Sequence, residues 1–403
     1  MKLRVRETPI RVPGFRFAGV ACGIKPSGRP DLALIHSEVP ATVAAMFTRN
    51  RVKAAPVAIA AKHARRGTAQ AVLINSGNAN ACTGAVGTRV AIASCRQTGI
   101  ALGISPYAVL PCSTGKIGVP LPAVPMVRGI AKAVRALDPR SLWRAAHAMR
   151  TTDAFPKVVA RRVRIGGKTV TIAGLAKGAG MIAPDMATLI VCVLTDARVA
   201  GRELRALTRA AAATSFNAIT VDGDMSTNDT LIVLANGVAA NRTISPGSAD
   251  GRRFGAALAA IMEALADMVV ADGEGASKRV RIDVRGARSA AGARRVAQSI
   301  ARSSLVKTAL YGGDPNWGRI VCAAGYAGAP VDPARMSVAI GGVPVLRRGE
   351  PALDGAVRRA AAALRRDACT IVVDVAAGGK GSAIVTTSDL TPAYVRFNSA
   401  YST

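Results

Sequence analysis

The sequence predicts an α+β protein built of layers, and three observations carry that prediction. Short apolar runs alternate with alanine-rich stretches of helical period along the whole 403 residues. Two of the runs, 158–165 and 168–175, are separated only by Gly166-Gly167, a turn pair that closes β-hairpins and makes neighbouring strands antiparallel. Half of the chain is apolar, enough for a substantial core and for two lobes. Hairpins mixed with long helices argue for α+β layers rather than a doubly wound parallel sheet.

The elements follow in order. Residues 70–76 read as a buried strand running into the polar loop Gly77-Asn78-Ala79-Asn80, followed by a helix over 87–102 and a short strand over 108–112. The hairpin comes next, and then a continuous apolar run from Thr188 to Thr195 with the character of a fully buried strand. Further strands are expected over 230–235, 278–284, 337–340, 343–346 and 370–375. Helices are expected over 201–215, 252–270, 291–303 and 354–366. Neither an internal repeat nor a low-complexity linker interrupts the pattern.

Composition narrows the function classes. The seven cysteines are scattered, without a CxxC pair or paired histidines, so neither a disulfide framework nor a zinc site is expected. A reducing compartment fits them. The N-terminal residues are basic but lack an apolar signal core, and no apolar run reaches membrane length, so a cytoplasmic protein is expected. The net charge of +30 raises a nucleic-acid reading. Yet the basic residues spread over alanine-rich helices, with no aromatics interleaved for base stacking. A solvated basic surface with non-specific affinity for polyanions accounts for them, and a basic nucleic-acid-associated protein stands as the rival class.

Three segments carry candidate chemistry. Lys177-Gly178-Ala179-Gly180-Met181-Ile182-Ala183-Pro184-Asp185-Met186-Ala187-Thr188 delivers the chain to a strand without helical or alternating order. An ordinary strand edge fits Thr188, because β-branched residues suit strands. So does a threonine that becomes an N-terminal nucleophile once the chain is cut before it, activated by its own amine. Ser113-Thr114-Gly115 follows a strand and could present a backbone N–H and a hydroxyl as an oxyanion hole, or be a plain turn. In Asp272-Gly273-Glu274-Gly275 a carboxylate sits between glycines, suited to an amine ligand or to a solvated turn. Asp222-Gly223-Asp224 also gathers acids, which turn formation explains equally well.

The order of these segments resembles the bifunctional ornithine acetyltransferase/N-acetylglutamate synthase (glutamate N-acetyltransferase) family of arginine biosynthesis. The resemblance rests on Asn75-Ser76-Gly77-Asn78-Ala79-Asn80-Ala81-Cys82-Thr83-Gly84, Ser113-Thr114-Gly115, Thr151-Thr152-Asp153 with Pro156-Lys157, and Lys177 to Thr188. It continues through Asn217-Ala218-Ile219-Thr220-Val221-Asp222-Gly223-Asp224, Gly273-Glu274-Gly275 and Asp314-Pro315-Asn316-Trp317-Gly318-Arg319, and ends at Asn398 and Thr403.

That resemblance implies the layered αββα fold shared with self-processing aminopeptidases. It implies self-cleavage between Ala187 and Thr188 into an α chain, 1–187, and a β chain, 188–403, assembled as a heterotetramer of two α and two β chains. Thr188 would carry the acetyl group from N2-acetyl-L-ornithine to L-glutamate. Thr114 and Gly115 match the oxyanion-stabilising pair, and Thr152, Lys177, Thr188, Glu274, Asn398 and Thr403 match substrate-binding positions. No metal and no cofactor is required; acetyl-CoA is a candidate second acetyl donor. No membrane and no specific nucleic acid is implied. A self-processing aminopeptidase of the same fold is the nearer rival. Two positions depart from the family pattern: Lys116 beside Gly115, and Ala154 after Thr151-Thr152-Asp153.

Overall fold

Strand β2 (Leu32–Phe47) is the element around which the larger unit is built. The computed structural model describes residues 6–183, 189–352 and 355–400. Strands and helices are numbered in chain order. The first half of β2 pairs with β1 (Phe15–Val20) and β3 (Thr68–Asn78), and its second half pairs with β9 (Thr230–Ala235). Between the halves, the β2–β3 register shifts between His36 and Ala41, across Pro40, which has no N–H to give to a ladder. The remaining strands are β4 (Val109–Lys116), β5 (Lys157–Ile165), β6 (Lys168–Lys177) and β7 (Ile190–Thr195), in the order β4-β3-β2-β9-β7-β6-β5.

Side-chain alternation shows that these strands form two layers sharing β2. Ala33, Ile35, Ala41 and Val43 all point into one core, together with Val72, Ile74 and Leu110 of β3 and β4 and with Cys192, Leu194, Ile232 and Leu234 of β7 and β9. On the opposite face of β2, Leu32 and Leu34 contribute to a core with Ile59 of α1 (Ala55–Ala64), Cys95 of α2 (Gly84–Leu102) and Ile130 of α3 (Ala123–Arg135). Ala44, past the register shift, instead joins the core of α5 (Gly201–Thr214) and α6 (Ala249–Ala271). The order is therefore helix, sheet, sheet, helix, the expected αββα layering. Helix α4 (Leu142–Met149) closes one end of the inter-sheet core with Leu142, Trp143 and Met149.

A separate core lies in the C-terminal part. There β10 (Arg279–Ala287), β11 (Ser337–Ile340), β12 (Val343–Arg347), β13 (Glu350–Pro351), β14 (Ala368–Asp374) and β15 (Gly381–Ser388) form a sheet, with the short β8 (Ile219–Thr220) at its edge. Its apolar face is covered by α7 (Ala290–Arg302), α8 (Ser304–Gly312), α9 (Trp317–Gly325) and α10 (Ala356–Leu364). The last helix, α11 (Pro392–Ala400), returns to the first unit.

Two sequence expectations change. The strand expected over 108–112 runs on to Lys116, so Thr114 and Gly115 lie within β4, paired in parallel with Ser76 and Gly77 of β3, rather than in a turn beyond it. Gly115 makes this possible: its φ of 133° is open to glycine, and a Cβ there would sit 2.3 Å from the carbonyl carbon of Gly77. Second, α6 is long and apolar enough to cross a membrane by length and composition. Here it is a core helix packed on β5 and β6, with Phe254, Leu258, Ile261 and Leu265 buried in one core with side chains of β7 and β9.

Candidate active site

Strand β6 ends at Lys177 and β7 begins at Ile190, and the two residues are antiparallel partners. The segment between them therefore starts and finishes at one edge of the inter-sheet core. Thr188 and Ala187, the expected nucleophile and cleavage partner, lie outside the described residues, as does Thr403. The start of the segment, at Lys177, Gly180 and Met181, lines a cavity of about 150 Å³. Thr114, Gly115, Thr152, Lys177, Glu274 and Asn398, far apart in sequence, all line it. Asp222, Asp224 and Tyr394 line it too.

One wall comes from β4 and β6. Lys177 is buried, and its Nζ donates to Thr114 Oγ1 at 3.1 Å. Having accepted from an ammonium, the Thr114 hydroxyl keeps its own hydrogen as a polarised donor. That is the requirement for stabilising an oxyanion. Burial pushes the Lys177 ammonium below its ordinary range, opposed by the charges of Asp153, Glu274 and Asp229. Lys116, whose charge the sequence set beside this pair, is exposed and is not among the residues lining the cavity.

The opposite wall is the loop after α6. Asn398 of α11 donates to Glu274 Oε2 at 3.1 Å, and the Glu274 N–H donates to the Ala179 carbonyl at 2.8 Å. Gly180 is required for this approach, because a Cβ there would lie 2.2 Å from a Glu274 carboxylate oxygen.

Carboxylates hold the backbone on both sides of the segment. Asp222 accepts the N–H groups of Met181 and Ile182 at 2.6 and 2.8 Å. Met181 is thereby kept at a φ of 57°, a region L-residues seldom occupy. Tyr394 donates to the same carboxylate at 3.4 Å. Burial raises the Asp222 carboxyl to about 6 despite these bonds. On the far side, Asp229 Oδ1 accepts the Leu189 N–H at 3.0 Å. Its Oδ2 is buried with no hydrogen-bond partner among the described residues, and burial pushes its carboxyl well above the ordinary range.

Asp222, Asp224, Asp229 and Tyr394 are among the residues at or beside the cavity that sequence reasoning did not assign to the site. Asp222-Gly223-Asp224 stood out as acid in a basic chain, but equally resembled a turn. Asp229 and Tyr394 carry no local signal of their own.

The ArgJ family model matches residues 16–403 of this chain. The "Arginine biosynthesis bifunctional protein ArgJ" of Geobacter sulfurreducens is 48% identical over 394 residues, covering 98% of this chain and all of that protein. The protein of the same name in Symbiobacterium thermophilum is 47% identical over 393 residues, 97% of each chain. Among solved structures, the chain is similar to an ArgJ from Bacillus halodurans, 41% identical, with 51% of this chain and 96% of that one covered at a TM-score of 0.49. It is similar also to an ornithine acetyltransferase of Mycobacterium tuberculosis in complex with ornithine, 38% identical, with 46% of this chain and 98% of that one covered at a TM-score of 0.40. With its family model matched over nearly its entire length and its relatives matched end to end, the chain belongs to the ArgJ family.

Proposed function

We propose that this protein is a self-processing acetyltransferase of arginine biosynthesis, which moves the acetyl group of N2-acetyl-L-ornithine to L-glutamate through an acetyl-Thr188 intermediate. The observation that carries this reading is the convergence of Thr114, Gly115, Thr152, Lys177, Glu274 and Asn398 on a single cavity at the start of the 178–189 segment. An αββα scaffold offering an oxyanion donor beside that segment suits an N-terminal threonine nucleophile.

In processing, Thr188 Oγ attacks the Ala187 carbonyl carbon, and the C–N bond breaks as the acyl group passes to oxygen. Water then hydrolyses the ester, releasing an α chain of residues 1–187 and a β chain of residues 188–403. The sheet order gives a reason for the pieces to stay together. β7 and β9 of the β chain lie between β2 and β6 of the α chain, so cutting the β6–β7 connection leaves both flanking ladders intact.

In transfer, the freed amine of Thr188 has an ordinary pKa of about 7.7–8.0 and takes the hydroxyl proton as Oγ attacks the acetamide carbonyl. Thr114 and Gly115 face the developing oxyanion. The amine then protonates ornithine as it leaves, and glutamate attacks the acetyl ester in the second half of a ping-pong cycle. Lys177 is suited to a substrate carboxylate and Glu274 to a substrate amine, with Thr152, Asn398 and Thr403 completing the binding set. We take acetyl-CoA as a second candidate donor, two α and two β chains as the assembly, and the cytoplasm as the location.

Intact-mass analysis of purified wild type and Thr188→Ala tests this reading. Two fragments divided at Ala187/Thr188 are expected from wild type, with the β chain gaining one acetyl group on brief exposure to N-acetylornithine, and one uncut chain from the variant. An uncut yet active wild type would overturn the mechanism. Acetylation of the β chain by acetyl-CoA alone tests the second donor.

A further inference from the structure

Behind the cavity wall, Lys157 is fully buried between two carboxylates. Its Nζ lies 2.7 Å from Asp153 Oδ1 and 2.6 Å from Asp272 Oδ2. Each carboxylate also grips backbone. Asp153 accepts the Gly178 N–H at 2.7 Å and the Thr151 N–H at 3.0 Å, while Asp272 accepts the Ala154 N–H at 3.1 Å. Thr152 therefore lies beside one arm of the triad, Lys177 is the residue before the held Gly178, and Glu274 stands two residues after Asp272.

We propose that Asp153, Lys157 and Asp272 are the positioning device of this site, a buried hub that locks the three cavity-lining loops together and supplies the counter-charge of Lys177. The inference rests on Lys177 acting as the substrate-binding cation of the proposed transfer.

The electrostatics follow from who faces whom. The groups acting on Lys177 are Asp153 from the 151–156 loop, Lys157 from the start of β5, Glu274 from the loop after α6, and Asp229 just before β9. Lys25, in the β1–β2 connection, also feels it. Burial alone raises both triad carboxyls. At Asp153 the two lysines and the Gly178 N–H outweigh burial and hold the carboxyl well below its ordinary range. Asp272, with one lysine, stays raised. Asp153 is thus the anion between two buried lysines, and Asp272 is the group that takes a proton first if Lys157 is removed.

Two substitutions separate this role from a merely structural one, because they act on Lys177 with opposite sign. Asp153→Asn removes its counter-charge, so the alkaline limb of kcat/KM for N-acetylornithine moves to lower pH. Lys157→Met removes a like charge and leaves Asp153 ionised, so the limb moves to higher pH. Both loosen the loops, with kcat/KM falling by on the order of 10²-fold. Cyanate labelling of Lys177 against pH, read by peptide mass spectrometry, follows the same ammonium without turnover. It therefore reports on the triad even if the proposed transfer fails. Labelling curves that shift in opposite directions support the inference. Curves that coincide with wild type, or shift together, overturn it; if only one variant folds, its sign alone decides.

Discussion

Lys177 Nζ donates to Thr114 Oγ1 across 3.1 Å, joining the end of β6 to β4 inside the cavity. The bond fixes the direction of the threonine hydroxyl, and an ammonium partner makes that hydroxyl a stronger donor toward a developing negative charge.

From this pair it follows that Lys177→Met should act on kcat as well as on KM. Losing a pre-aimed oxyanion donor costs about 10²–10³ in kcat. Thr114→Ser, which keeps the hydroxyl, should retain most of the activity, whereas Thr114→Val should resemble Lys177→Met. Steady-state kinetics of the three variants check this. A Lys177→Met enzyme changed only in KM would remove the orienting role.

Gly180 predicts a second effect. Alanine there would place its Cβ 2.2 Å from the Glu274 carboxylate and push Glu274 away from Asn398. We expect Gly180→Ala to raise the KM for N-acetylornithine in the same direction as Glu274→Gln, each by about 1.5–3 kcal/mol, the worth of a hydrogen bond to a charged group. The double variant should be little worse than either single one, because both act on the same carboxylate. Additive losses in the double variant would separate the two residues.

Asp222 predicts a dependence of stability on pH. Burial raises its carboxyl from 3.8 to about 6, so the folded protein binds a proton that the unfolded chain gives up. The favourable contribution is complete below the unfolded value and is lost as pH rises through about 6. In Asp222→Asn this slope disappears, and Tm measured across that window should change less with pH than in wild type. Parallel Tm curves for the two proteins would refute the assignment.

Much of the fold is legible locally, where one strand or helix carries its own period. The 158–175 hairpin, the run into β7 and the long α6 announce themselves through Gly166-Gly167, continuous β-branched burial and helical spacing. β1, β2, β8, β13, β15, α1, α3, α4, α8, α9 and α11 do not. β2 has a proline and two exposed residues at its bend and changes the core it serves midway, so no single alternation spans it. Helix α4 is eight residues long, and its faces are set by the gap it closes.

The site divides in the same way. Read alone, the sequence offered the candidate groups: a threonine after a loose glycine-rich approach, a Ser-Thr-Gly stretch, a lysine and a glycine-flanked glutamate. Those are properties of short segments, and the family resemblance orders them along the chain. The folded chain adds that Lys177 bonds Thr114, that Glu274 meets Asn398 against Gly180, and that Lys157 joins Asp153 to Asp272. The physical reason is separation. Hydrogen bonds and ion pairs act over a few ångströms, and most of these partners lie tens to more than a hundred residues apart, so no local pattern encodes them until two sheets and α6 close around the cavity.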